Sequence, residues 1–444
     1  MPLPRLSVSV SWLATILLSV VCAQFVLAQD PREVVRARWH EIGDPAILYL
    51  APSPYSPAPA GRQIDQPKAK ELTKLAREAA ELGEAALAIR LATEAAYWDP
   101  DCDEARTILG YEQHEGQWLT PFQLRMARRG EEWHPRFGWV APADLPRYEQ
   151  GERKRGRRWV TVEMDASQHE TIGRGWQVRT DNFVVTTNHS LEAGAALVAK
   201  LEELYQVWQQ LFADYHMTAT ELRRRFEAGQ TPGPRSRPFS VLYHRSREEY
   251  IAELSQRQPR IGETLGIYFD QFREAHFYFV PGEDNDPTLY HEAVHQLFYE
   301  SIRSIKGPGQ RDNFWVVEGA ALYFETLRRH EDPDLGVRFT IGQRDAGRLP
   351  VAIERLTKDG YYIPLATLVS LGQRDFQQRD DLPRLYGQAT GIATWLMADP
   401  MRQRTFVDYL KAFYTGRTEP TTLATLLEKT YPQLDAEFRE FLSR

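Results

Sequence analysis

The chain has 444 residues, a formal net charge of −7, 26% charged and 42% apolar residues, and only two cysteines. Mild acidity argues against a polyanion-binding protein, and a chain of this size can build its core without disulfides. At about 150 residues per domain, two or three domains are expected.

The amino terminus reads as an export signal. Arg5 supplies a sparse positive n-region, Leu13 to Val21 an apolar run, and Val26-Leu27-Ala28 a small-residue cleavage site before Gln29. Residues 1–28 are therefore expected to direct the protein to a secreted or periplasmic location, with cleavage after Ala28. A membrane span needs about 20 apolar residues, and no stretch of the chain supplies them. A lipid anchor on Cys22 is disfavoured because Val21 is not the small residue such sites need. Only Cys102 then remains, which rules out an intramolecular disulfide in the mature chain.

Residues 29–67, ending in the Pro/Ala/Ser-rich stretch Pro52 to Pro67, read as an extended linker or pro-segment. From Lys68 to Trp98 the apolar residues Leu72, Leu75, Ala79, Leu82, Ala86, Ile89 and Ala96 recur at three and four, interrupted by Gly83-Glu84. The pattern predicts a helical hairpin of the tetratricopeptide type followed by a third helix through Leu109, in a helical region spanning 68–150. One such unit is too few for a solenoid, so packing against a neighbouring domain is expected, with the hairpin as a possible surface for a protein partner. Gly116-Gln117-Trp118 and Gly138-Trp139-Val140 frame a turn-rich aromatic segment, and Arg153 to Arg158 reads as a solvated basic loop within a linker at 151–175.

Beyond Trp176 strands and helices mix. Phe183–Thr187 is a strand leading to an amphipathic helix through Leu197, Leu201, Leu204, Trp208 and Leu211. A Gly/Pro/Arg-rich loop near Gln230 to Pro234 precedes a strand at Phe239–Tyr243. Asn188-His189-Ser190 is a glycosylation sequon on paper. Strands Leu265–Asp270 and His276–Val280 flank a polar turn, and the second is a candidate edge for pairing with an extended peptide. After about residue 345 the chain reads as mostly helical.

The most informative stretch is His291-Glu292-Ala293-Val294-His295. On a helix, residues i and i+4 share a face with Cβ atoms about 5–6 Å apart, so two imidazoles can hold one zinc with the intervening carboxylate beside them as general base. Asp286-Pro287 starts such a helix, Leu289, Val294, Leu297 and Phe298 give it an apolar face, and Gly307-Pro308-Gly309 ends it. A second helical pattern, Trp315 to Glu325, follows the capping candidates Asp312 and Asn313.

An HExxH helix followed by a helix carrying WxxEGxA resembles the gluzincin clan of zinc metallopeptidases, and more narrowly the bacterial peptidase-MA-like domains. The resemblance covers roughly residues 176 to 440 and is strongest between 286 and 325. Phe183–Thr187, Glu202–Tyr205 with Trp208, and Leu385–Gln388 also fit it. It implies an α+β fold, with a small mixed sheet and helices carrying the zinc site at 176–345, a helical subdomain at 346–444, and a small all-helical region upstream. It also implies Glu318 as third ligand of a Zn2+ site with His291 and His295. In many gluzincins a carboxylate four residues after that ligand orients a zinc-bound imidazole; here Leu322 occupies the position, and Glu325 lies two turns from Glu318 on the same stripe. Relatives stabilise the oxyanion with a His or Tyr from the C-terminal part. Tyr386 is the candidate, with Tyr361, Tyr362 and His330 as competitors. The expected function is a secreted zinc metallopeptidase acting on peptide or protein substrates, with no nucleic-acid partner. The alternative is an exported non-catalytic zinc-binding scaffold or interaction module.

Overall fold

A computed structural model describes residues 30–230, 237–282 and 286–444. The expected export signal, Cys22 and most of the loop at 230–234 lie outside these residues. Two compact units are distinguished, residues 1–45 and 46–444. The first contains helix α1 (Pro31–Ile42), where an extended linker was expected from 29 to 67; the Asp30 carboxylate accepting from the Arg32 amide and a proline in the first turn start it. Everything below concerns the second unit.

This unit is a mixed α+β structure of small sheets and many helices. A two-residue strand, β1 (Leu48–Tyr49), begins it. The stretch 52–67 is extended but anchored, since the buried Tyr55 hydroxyl donates to Asp181 at 2.6 Å. Helices α2 (Gln66–Glu81) and α3 (Ala85–Trp98) form the expected hairpin, turning at Gly83 with a φ of 75°. Alanines at 69, 76, 79, 88, 92 and 95 are buried where the two helices meet, so small side chains permit the close approach. A short helix, α4 (Asp103–Leu109), follows.

Residues 112–166 differ from expectation. Three β-hairpins follow one another, Glu112–His114 with Gln117–Leu119, Glu132–His134 with Gly138–Val140, and Glu152–Arg155 with Arg158–Thr161. Each has a glycine at positive φ in or beside its turn (Gly116, Gly138, Gly156) and a tryptophan in its second strand, and each leads into a short helix. The stretch read as a basic loop and linker is thus the third hairpin unit. Arg153 is buried there, its charge met by Glu192.

A five-stranded sheet follows, built from β2 (Trp176–Arg179), β3 (Phe183–Thr187), β4 (Phe239–His244), β5 (Gly266–Phe269) and β6 (Glu274–Tyr278) in the order β5-β6-β4-β3-β2. Strands β3, β4 and β6 are parallel, and the two outer strands run antiparallel to their neighbours. The segment starting at His276 is therefore an interior strand; the edge belongs to Gly266–Phe269. Helix α5 (Leu191–His216) buries Leu197, Leu201, Leu204 and Trp208 in one continuous core with Phe183, Val185, Phe239 and Val241 of the sheet. Asn188 is 5% exposed and its amide donates to Glu249 and to the Glu170 carbonyl, so the sequon is closed to a glycosylating enzyme in the folded chain. The path into β2 needs a glycine: a Cβ on Gly175 would lie 2.4 Å from the Thr187 carbonyl oxygen. Gly175→Ala is expected to cost about 1–3 kcal/mol, read as a lower denaturant midpoint at unchanged m-value.

Helices α6 (Asp286–Ser301) and α7 (Trp315–Phe324) come next, then a hairpin of β7 (Arg328–Asp332) and β8 (Gly336–Thr340), with β1 paired on β8. Helices α8 (Leu382–Met397), α9 (Pro400–Tyr414) and α10 (Tyr431–Ser443) complete the unit. Their buried residues Leu385, Ile392, Trp395, Phe406, Tyr409 and Phe438 join the core that holds the sheet. Among the described residues, no helix is long and apolar enough to cross a membrane.

Candidate metal centre

Helix α6 presents one apolar and one polar face. Leu289, Ala293, Val294, Leu297 and Phe298 are buried in the core, which fixes the rotation of the helix and leaves His291, Glu292 and His295 only partly covered. The two imidazoles stand edge to face with Nε2 atoms 3.1 Å apart. Helix α7 brings in the third group. Trp315 and Val316 are fully buried, so Glu318, one turn later and 7% exposed, is held against the imidazoles with its Oε2 3.5 Å from His291 Nε2. One ligand atom from each of His291, His295 and Glu318 lies within 4.8 Å of the others.

The donor set suits a metal of the zinc type. Bonds of about 2.0–2.2 Å in a tetrahedral centre separate ligand atoms by about 3.3 Å, close to two of the spacings seen here. Electrostatics agree with that. Glu292, Glu318 and Glu325 surround two imidazoles, and Arg348 pairs with Glu325, so a dication bound between the imidazoles would face the carboxylates of Glu292 and Glu318. Burial works against a charged His291, yet the Glu318 and Glu325 carboxylates outweigh it and raise its pKa to about 10. Burial and the neighbouring His291 push His295 down to about 4. Burial would raise the Glu318 carboxyl, but the two imidazoles hold it below the usual range.

Glu325 lies behind His291. Its Oε1 lies 2.9 Å from His291 Nδ1, a short contact that is off the best hydrogen-bond line, and its Oε2 accepts from Arg348 Nε at 2.9 Å. Leu322 is fully buried and packs in the core. Arg348 thus holds a carboxylate against His291 from the helix end, on the imidazole nitrogen facing away from Glu318. Arg348 had no recognisable signal in the sequence; Glu325 had only its place seven residues beyond Glu318.

Glu292 is tied to the sheet. Its Oε2 accepts the Tyr268 backbone N–H of edge strand β5 at 2.9 Å. Burial raises its pKa to about 7, with Glu318 and Glu325 adding to the effect and His291 opposing it. Gly266 makes room for this: a Cβ there would sit 2.8 Å from the Phe277 ring and 3.2 Å from Glu292 Cγ.

Tyr386 stands beside the same group. Gly319 lets α8 approach α7, since its Cβ position is 3.2 Å from the Ala389 carbonyl. The Glu318 carboxylate is the largest influence raising the Tyr386 hydroxyl pKa, ahead of burial, and the Arg348 guanidinium lies 5.3 Å from the ring centroid. Among the described residues its hydroxyl has no hydrogen-bond partner. The competitors are engaged elsewhere: Tyr361 donates to Asp381, Tyr362 donates to Asp435, and His330 meets Thr340 on an exposed hairpin.

No protein-family model matches the chain, and no curated protein is significantly similar to it.

Proposed function

We propose that the chain is an exported zinc-dependent peptidase of gluzincin type, resembling the peptidase-MA-like domains. The convergence of His291, His295 and Glu318, with Glu292 beside them and Glu325 behind His291, carries this reading. When bound, zinc would polarise the scissile carbonyl and acidify a water toward a pKa of about 7. Glu292 takes a proton from the attacking water as the C–O bond forms, then delivers it to the amide nitrogen as the C–N bond breaks. A carboxylate lifted toward neutrality is matched to that two-way transfer. The Tyr386 hydroxyl donates to the oxygen on which negative charge builds. Tyr268 turns its N–H toward Glu292, and edge strand β5 offers the rail along which an extended peptide can pair.

The mature chain, incubated with a mixed peptide pool and followed by mass spectrometry, should cleave peptides, lose activity to a chelator and regain it with about one equivalent of zinc. The absence of cleavage with zinc loaded, or cleavage untouched by chelation, overturns the reading. Tyr386→Phe is expected to lower kcat by about 10²-fold with KM little changed; an unaltered kcat removes Tyr386 from the mechanism.

A further inference from the structure

A second site lies away from the metal centre. A cavity of about 310 Å3, lined in part by Tyr55, Tyr111, Phe122, Asp181 and Glu202, opens where the first β-hairpin unit and the α2–α3 hairpin meet α5. This volume is within the range of small-molecule sites. Asp181 accepts from the Tyr55 hydroxyl, from Gln123 Nε2 at 3.0 Å and from the Thr120 hydroxyl. Glu202 accepts from the Thr180 hydroxyl at 2.7 Å and from Asn182 through its backbone N–H at 2.7 Å and its side-chain amide at 2.8 Å.

All six donors are neutral. Among the described residues, no lysine or arginine comes within ion-pair distance of either carboxylate. Burial raises the pKa of both acids, and Asp181 reinforces it at Glu202, which reaches about 7. Ionising the pair in the folded chain would place buried negative charge where, among the described residues, no lysine or arginine is within ion-pair reach, a cost that a bound cation would offset.

Tyr111 points to what that is. It is only 9% exposed and lines the cavity; burial raises its hydroxyl pKa, the Arg106 guanidinium 4.8 Å from its ring centroid opposes this, both carboxylates add to it, and that hydroxyl has no hydrogen-bond partner among the described residues. Each carboxylate has about four acceptor positions; Asp181 uses all four once its own backbone N–H is counted and Glu202 uses three, so one remains on Glu202 and the Tyr111 oxygen adds a second. A primary ammonium has three N–H donors.

We propose that this cavity binds a protonated primary amine, its ammonium donating to Glu202 and Tyr111 with the Asp181 carboxylate beside it, and its short apolar body lying along Ile89, Leu109 and Met217. A divalent metal fits less well, because it needs several of the lone pairs already committed to neutral donors. The alternative is an acid pair that simply retains a proton in the folded state.

Calorimetric titration of the mature chain with n-butylammonium, butyrate and 1-butanol separates these. Saturable binding of the amine alone is expected, unchanged by a chelator. Glu202→Gln and Tyr111→Phe should each weaken it by about tenfold or more. Tyr111→Phe removes a hydroxyl that bonds nothing in the protein, so its fold is retained even if Glu202→Gln proves unstable. Absence of saturable amine binding, equal binding of 1-butanol, or wild-type affinity in Tyr111→Phe overturns the proposal. Because the readout is amine binding under chelation, it is independent of the peptidase reading.

Discussion

Glu292→Gln is expected to lower kcat/KM for peptide hydrolysis by about 10²–10⁴-fold while leaving zinc content unchanged. The amide cannot take the proton from the attacking water, but it is nearly isosteric. Its oxygen can still accept the Tyr268 N–H, so edge strand β5 stays in place. Metal content by elemental analysis and kinetics on one cleaved peptide, measured on the same preparation, check both halves. Equal activity in the variant would mean that the proton moves by another route. Loss of metal together with activity would mean that Glu292 acts on the centre's integrity rather than on the water.

The second large effect concerns Glu325. Glu325→Gln should weaken zinc binding or lower activity by about 10–100-fold, as removal of an orienting carboxylate does in other zinc sites. The cause is local: His291 loses the negative partner on Nδ1 that fixes which ring nitrogen is free for metal, and Arg348 loses its ion pair. A competitive zinc titration against a chromophoric chelator measures the shift. Arg348→Gln should move in the same direction by less, since it acts on His291 only through Glu325. Wild-type zinc affinity in Glu325→Gln would show that the 2.9 Å contact carries no orienting role.

How much of this could be read from the chain follows the range of the interactions involved. The helix bearing His291 and His295 was legible because its determinants are local: Asp286-Pro287 at its start, an apolar stripe at helical spacing, and two histidines on one face. The helical hairpin was legible for the same reason, and so was Glu318, which shares a helix with its signature residues Trp315 and Gly319. The role of Glu325 was not, because the helix phase marks the stripe without giving the tilt at which α7 crosses α6. Position 322 turned into the core, and the carboxylate three residues on, at Glu325, met the imidazole.

Strand neighbours were also out of reach. Leu265–Asp270 and His276–Val280 are similarly apolar, and nothing within either states which one ends the sheet; the β4–β6 pairing, 34 residues apart in Ser240 and Glu274, decides it. The three hairpin units escaped for a different reason. Their strands are only three or four residues long, too short for alternation to register, and the arginines of the third suggest solvent although Arg153 is buried against Glu192. The recurring glycine and tryptophan were the available signal.

The most direct test of the central claim is anomalous diffraction at the zinc edge from crystals of the mature chain grown with zinc. One peak is expected about 2.0–2.2 Å from His291 Nε2, His295 Nε2 and a Glu318 carboxylate oxygen, with Glu325 on His291 Nδ1. Zinc bound elsewhere, or a zinc-replete crystal in which the two imidazoles still face each other with no metal between them, would contradict it.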